Sequence, residues 1–355
     1  MISSDFRFVR PLTITDAMLV SSSVPETVAA TYSGATAYVI GNRVGLAPVN
    51  GAAQLVYECI QNGTGQPLPV PPATTTAYWK KVGEVYPVYS GAVTYALGDI
   101  VSNIGTNIHE LYESLVAGNL GNALTSAAKW LLLGATNRWK MFDQIMNSRT
   151  VSDTDITVVL APGTLVNAVV LSNIEGVDVR VQQSISGYNK LMLLNAHVVA
   201  DWYDWFYEVL ISRDDIVFAD VPPYISGVLT LTISAVSGVA ACGVVAVGQQ
   251  SFVGTTITPL TRGINDYSRI IEDAWGGVIV VPGNYSKIMN VEVYIPAGFE
   301  SQAVHLLTSI RATPVMFLAG DNFDSAIVYG ILGRGWNVPL NVNGGVARIE
   351  IKGLT

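Results

Sequence analysis

Three histidines, a few acidic pairs and a regularly spaced set of tyrosines and tryptophans are the residues through which this 355-residue chain could do chemistry. His109, His197 and His305 stand far apart. None falls in the His-x-x-x-His or His-Glu-x-x-His spacing that puts two zinc ligands on one helix face. Asp214 and Asp215, with Asp220 nearby, offer oxygens to calcium, but such ligands must converge from several positions and nothing in the spacing makes these do so. Asp214-Asp215, and Glu272-Asp273 beside Trp275, could supply the two carboxylates of a glycosidase. Adjacent acids on a strand point to opposite faces, however, so neither pair would flank one bond, and a solvated loop explains both. No Gly-x-Ser-x-Gly elbow and no phosphate-binding glycine loop occur. The sequence therefore predicts no catalytic residue, no metal site and no cofactor.

The aromatic residues are more orderly, because they repeat. Tyr32-Ser33-Gly34-Ala35-Thr36-Ala37-Tyr38-Val39-Ile40-Gly41 returns from Tyr89 as Tyr89-Ser90-Gly91-Ala92-Val93-Thr94-Tyr95-Ala96-Leu97-Gly98. Tyr57-Glu58-Cys59-Ile60 then matches Tyr112-Glu113-Ser114-Leu115, and Gly63 matches Gly118. Trp79-Lys80-Lys81-Val82-Gly83 closes the first copy as Trp130-Leu131-Leu132-Leu133-Gly134 closes the second. Order is kept while spacing drifts, as when insertions fall in loops between short strands. Each copy has about fifty residues, near the size at which a lone core becomes marginal. Aromatic rings must then supply much of the burial: Tyr38, Tyr57 and Trp79 in one copy, Tyr95, Tyr112 and Trp130 in the other.

The elements around these residues read as strands. Val177 to Gln182, Asn290 to Ile295 and Ala347 to Lys352 alternate apolar and polar, and turn signals such as Pro162-Gly163, Pro282-Gly283 and Asn343-Gly344-Gly345 recur between such runs. The fold class expected is mainly β: two small three-stranded aromatic modules followed by a β-sandwich or jelly-roll region. Its parts are an N-terminal arm over 1–29, the repeats over 30–85 and 86–137, and the β-sandwich region over 138–355, with a possible division into two subdomains near 248–265. An aromatic-basic junction, Ala135 to Asp143, joins the second repeat to the rest. Helix is expected only in short pieces, at Asn107–Ala117 and Ala200–Glu208. The second carries Trp202, Tyr203, Trp205, Phe206 and Tyr207, a cluster that suits a core or a subunit contact, or a sugar-stacking platform. Val221 to Thr261 holds no charged residue, but its glycines and period-two alternation indicate consecutive buried strands, and no membrane span is expected.

Bulk composition narrows the partners. Charged residues make up 13% of the chain against about 25% in ordinary soluble domains, while 50% are hydrophobic. That surplus of apolar surface implies either large cores or burial against copies of the chain or other proteins, and strands so poor in Lys and Glu favour the second. A net charge of −8 and the absence of any basic run exclude nucleic acid, which needs clustered cations to displace counterions. Cys59 and Cys242 have neither disulfide-framework nor zinc spacing and read as two buried thiols. The first ten residues lack the charged start and apolar core of a secretory signal, so export by the general pathway is not expected.

Two resemblances sharpen these expectations. The run of Tyr, Gly, Tyr-Glu-Cys and Trp with Val-Gly resembles the small chitin-binding-type carbohydrate-binding modules, well over 30–85 and less well over 87–135. The resemblance implies a three-stranded mini-sheet with aromatic faces for sugar rings, and assigns glycan contact to Tyr32, Tyr38, Tyr57, Trp79, Tyr89, Tyr95, Tyr112 and Trp130. Those modules open with an exposed Trp, whereas here Tyr32 or Tyr89 holds that place. His109 and Leu131-Leu132-Leu133 point to packing against a neighbour, so a spacer or docking role stays open beside sugar binding. The remainder resembles virion proteins of tailed bacteriophages, through Thr136-Asn137-Arg138-Trp139-Lys140-Met141-Phe142-Asp143, Val253-Gly254-Thr255-Thr256, Asn265-Asp266-Tyr267-Ser268, Ala312-Thr313-Pro314-Val315, Val328-Tyr329-Gly330 and Ile349 to Thr355.

That likeness implies a structural tail, baseplate or fibre-associated component of the virion, assembled in the host cytoplasm. Its partners would be copies of itself, as a trimer or hexamer, and other tail proteins, with possible contact to host cell-surface polysaccharide. The competing expectation is a glycan-degrading enzyme whose tandem modules hold substrate near a sandwich domain.

Overall fold

Alternating sequence becomes strand almost throughout the computed structural model, which describes residues 4–46, 51–69, 75–105, 107–195, 201–207, 212–235, 239–272, 275–320, 326–339 and 343–354. The chain begins in β1 (Ser4–Val9) and β2 (Leu19–Ser22). The first repeat follows with β3 (Ala37–Tyr38), β4 (Arg43–Gly45), β5 (Gln54–Cys59), β6 (Gly63–Thr64) and β7 (Trp79–Val85). The second holds β8 (Thr94–Tyr95), β9 (Ile100–Asn103), β10 (Glu110–Ser114), β11 (Asn119–Leu120) and β12 (Trp130–Ala135). Each repeat is a three-stranded sheet, β4-β5-β7 or β9-β10-β12, beside a two-stranded ribbon, β3-β6 or β8-β11. A bulge interrupts the central pairing at Val56/Tyr57 in one copy and at Leu111/Tyr112 in the other.

The region after the junction forms two packed bodies. The sandwich contains β13 (Thr150–Ser152), β14 (Ile156–Leu160), β15 (Ala168–Glu175), β16 (Asp178–Gln183), β17 (Asn189–Leu193), the short helix α1 (Trp202–Tyr207), β18 (Asp215–Phe218), β19 (Leu229–Ile233) and β20 (Ala240–Gly248). Its sheets run β13-β20-β15-β18 and β17-β16-β19-β14-β2. They enclose a core that includes Val158, Leu171, Val181, Phe218, Leu231 and Val247. The last stretch contains β21 (Gln250–Asp266), β22 (Arg269–Glu272), β23 (Val278–Val281), β24 (Tyr285–Ile295), helix α2 (Glu300–Ser309), β25 (Val315–Leu318), β26 (Ile327–Leu332) and β27 (Gly345–Gly353). Six strands close a barrel in the order β1-β21-β24-β27-β26-β25. Inward residues such as Val291, Val293, Phe317 and Ile349 fill it, and Ala303 and Leu307 of α2, with Ile310 just after it, join that core.

The uncharged run finds its explanation here. All nine residues of β20 are buried. Val245 and Val247 belong to the sandwich core, while Val244 and Ala246 pack with Met316, Leu318 and Tyr329 of the barrel. A strand covered on both faces has no place for a charge. At Gly248 the backbone after β1 passes too close for a side chain, since a Cβ there would collide with the carbonyl oxygen of Arg10.

Several expectations need correction. Residues 1–29 do not form a free arm: β1 completes the barrel and β2 is an edge of the sandwich. The 138–355 region is a sandwich joined to a barrel, with strands from the start of the chain in both. Asn107–Ala117 is not helical, because β10 pairs with β9 and β12 on either side. Ala200–Glu208 contains α1 as expected, whereas α2 was not foreseen. In the ribbons Gly63 lies opposite Tyr38 and Asn119 opposite Tyr95, so Gly63 corresponds to Asn119 in place of Gly118.

Candidate functional site

The repeated aromatics build the two modules from within. In the first, Tyr32 stacks on Tyr38 with ring centres 5.7 Å apart, and Trp79 meets both rings edge-on. The hydroxyl of Tyr32 and the indole N–H of Trp79 donate to one carbonyl, that of Gln66, at 2.7 and 2.9 Å. In the second, Tyr89, Tyr95 and Trp130 take the same arrangement, and Tyr89 and Trp130 donate to the carbonyl of Asn122 at 2.7 and 3.0 Å. The backbone N–H of Ser33 donates to Tyr38 Oη at 2.9 Å, and that of Ser90 to Tyr95 Oη at 2.9 Å. One sequence repeat has become one repeated hydrogen-bonded cluster.

That cluster removes the rings from sugar. Tyr38, Tyr57, Trp79, Tyr95 and Trp130 are buried, so none offers a free face. Tyr32 and Tyr89 are half-buried and already stacked. Tyr112, also half-buried, donates to Glu110 Oε2 at 2.7 Å, and desolvation together with that carboxylate pushes its phenol up to about 12. Five of the eight rings assigned to glycan contact are thus core residues of the modules, and Tyr32, Tyr89 and Tyr112 are half-buried and hydrogen-bonded within them.

The ionisable candidates are likewise engaged in packing. Asp214 and Asp215 converge, but on Lys287: its ammonium donates to Asp214 Oδ2 at 2.8 Å and to Asp215 Oδ2. Asp215 is almost fully buried, and that burial pushes its carboxyl up while Lys287 opposes the shift. Asp220 instead binds Tyr188 and Lys190, at 2.8 and 2.9 Å, away from the other two. Among the described residues no group of three or more His, Cys, Asp or Glu could hold a metal ion. Asp273 and His197 lie outside the described residues, and Glu272 sits on an exposed strand.

A buried polar knot was missed from sequence. Glu26 Oε1 accepts from Thr136 Oγ1 at 2.7 Å and lies 2.8 Å from His109 Nδ1, while its Oε2 lies 3.1 Å from Arg138 Nη1. Arg138 also donates to the carbonyl of Val24, and Trp139 packs on the His109 ring. The knot ties the segment before the modules to the second module and the junction. His109 and the junction residues carried a local signal. Glu26 stands alone in sequence, and only the fold brings its partners to it.

Among the described residues, 264–272 and 275–285 form a projection with exposed apolar side chains. Beyond the barrel β21 and β24 continue as a ribbon, pairing Ile264 with Lys287 and Asp266 with Tyr285. The ribbon is extended by β22 and β23, which pair only with each other: Arg269 with Val281, Ile270 with Val280, Ile271 with Ile279 and Glu272 with Val278. The turn at its base is fixed by Asp266 Oδ1 accepting from Ser268 N at 2.8 Å and by Ser268 Oγ accepting from Gly283 N at 3.0 Å.

Every residue of β22 and β23 is exposed. Register places Val281, Ile271 and Ile279 with Arg269 on one face, and Ile270, Val280 and Val278 with Glu272 on the other. Val278-Ile279-Val280-Val281 has the composition of a strand covered on both sides. A two-stranded hairpin is marginal in water by itself, and its outer edges carry unpaired backbone groups. Ile264, Tyr267, Trp275 and Tyr285 extend the apolar surface, and Trp275 is 94% exposed. Together these ten side chains present on the order of 1,000 Å² of mostly apolar surface, compared with about 800 Å² per partner in a standard interface.

Two smaller apolar patches accompany it. Trp202, Tyr203, Phe206 and Tyr207 of α1 are exposed, so that cluster is not core; no side-chain placement is described for Trp205. Leu131, Leu132 and Leu133 stand exposed along β12. No helix among the described residues is long and apolar enough to cross a membrane. Comparison with models of known protein families gave no match, and comparison with curated proteins gave none either.

Proposed function

We propose that this chain is a structural component of a tailed-bacteriophage virion, in the tail or baseplate. It acts by assembling with copies of itself and with other tail proteins, without catalysis. The projection carries this reading: a hairpin apolar on both faces, with about the surface area that a stable interface needs, is a contact element awaiting a second copy. Low overall charge, the exposed aromatics of α1 and the phage-like sequence after residue 136 support the same reading. The two modules serve as rigid spacers or docking units, because their rings are used to hold the modules themselves together.

A second copy suits the projection better than lipid does. Arg269 and Glu272 put opposite charges on opposite faces, and an ionised side chain is costly in hydrocarbon. Another protein surface can pair both. Homo-oligomers are also the commonest assemblies, and head-to-tail contacts close into rings.

The test is the mass of the purified chain in solution by mass photometry, alongside an Ile270→Asp and Ile279→Asp double variant that places a charge on each face. The expected result is a symmetric oligomer for the natural chain and a monomer for the variant, with unchanged circular dichroism. A monodisperse natural monomer over a wide concentration range overturns the reading. So does a monomer that co-sediments with lipid vesicles through the same residues.

A further inference from the structure

A second surface has the opposite chemistry to the projection. On the outside of the barrel a groove of about 470 Å³ runs over β24 and β27, between the loop after β26 and the irregular stretch of β21 at Pro259 and Thr261. That volume falls within the usual range for small-ligand sites. Its floor is laid by register. Asn290 lies opposite Glu350 and Glu292 opposite Arg348, and the intervening Val291 and Ile349 turn inward to the core. Arg348 Nε donates to Glu292 Oε1 at 2.8 Å, which orients that carboxylate. Arg334 and Trp336 enter from the loop, where Trp336 is half-buried and packs against the barrel core.

The tryptophans point to what this groove is for. Trp79, Trp130 and Trp139 are buried, and Trp202 and Trp275 stand exposed among other apolar side chains. Trp336 combines a braced indole with a ring of hydrogen-bonding groups. The two arginines and two glutamates balance in charge, so the groove favours neither an anion nor a cation. Donors, acceptors and one rigid aromatic plane, set on paired strands of fixed spacing, suit a ligand with many hydroxyls and an apolar ring face.

The geometry points to this groove as a binding site for an uncharged glycan, with Trp336 stacking on a sugar ring. Glu350 and Glu292 accept from hydroxyls, and Arg334 and Asn290 supply donors. The two strands of the floor pair with each other from Ile288 opposite Lys352 to Ile295 opposite Gly345, so an extended peptide finds no backbone between them. This site is separate from the projection and does not depend on the assembly reading.

The test titrates the full chain calorimetrically with cellohexaose, maltohexaose and chitohexaose, and with hexagalacturonate as an anionic counterpart. The expected result is binding of at least one neutral hexasaccharide. Arg334→Ala and Glu350→Gln, both at exposed positions, weaken it by about tenfold or more, and Trp336→Ala abolishes it. The projection variant Ile270→Asp binds as the natural chain does, which separates this site from assembly. Absence of binding by all three neutral sugars overturns the inference. So does binding that Arg334→Ala and Glu350→Gln leave intact, or a preference for hexagalacturonate.

Discussion

Burial pushes the thiol of Cys242 up to about 12 against the lowering pull of Arg149, because the thiolate has no solvent in the sandwich core. Cys59 is equally enclosed in the first module. Neither thiol should react with a disulfide reagent in the native protein, and both should react in denaturant. Lys287 shows burial offset by partners: desolvation works to lower its ammonium, but Asp215 and Asp214 hold it above the ordinary lysine value of 10.5. A cation raised in the folded state contributes stability that is fully present below about pH 10.5 and is lost as pH rises through the folded value. The melting temperature should therefore fall more steeply in alkali for the natural chain than for Lys287→Met. Near neutral pH, Lys287→Ala leaves Asp215 buried and unpaired and should cost about 3–5 kcal/mol in chemical denaturation. That cost should shrink as acid protonates Asp215. At this scale the sequence showed which rings build the two small cores, and left open whether the same rings also meet a ligand. A tyrosine spaced for a sugar platform and one spaced for a small core look alike, and only the hydrogen bonds to Gln66 and Asn122 tell them apart.

Among the elements, the modules are the most legible, since their order, turns and ring positions all recur. Trp79 and Trp130 are equivalent, each buried and each donating to a loop carbonyl. Trp79→Ala and Trp130→Ala should each cost about 3–5 kcal/mol, seen as early melting of one module while the barrel and sandwich persist. The repeat itself contained the correction to the helix expected at Asn107–Ala117. Tyr112-Glu113-Ser114 matches Tyr57-Glu58-Cys59, and both runs are central strands. Local propensity was read there where the periodic relation carried more information. Helix α2 left a faint signal, with Ala303 and Leu307 four apart after a Pro-Ala-Gly turn, in a window shorter than periodicity resolves well. β22 and β23 were legible as apolar runs, but whether such runs face a core or open solvent depends on the pairing of β21 with β24, which no local pattern reveals.

At the scale of the whole molecule, contact through the projection should be held by apolar burial. Added sulfate should then strengthen self-association, whereas contacts between charged patches would weaken with salt. Sedimentation at increasing ammonium sulfate, below precipitation, distinguishes the two. The architecture also bears on how the fold forms. β1 lies between β21 and β25 in the closed barrel, so residues 4–9 are paired with partners at 250–256 and 316–318. During translation that first strand leaves the ribosome long before its neighbours exist, while both modules can mature behind it from local contacts. A greasy edge, Phe6 and Phe8 included, must stay out of wrong pairings for the synthesis time of some three hundred residues, about 15–60 s at ~5–20 residues per second. Closure of the ring is then a late event that waits for the strands at 315–353. A chain cut short before β25 cannot close the ring.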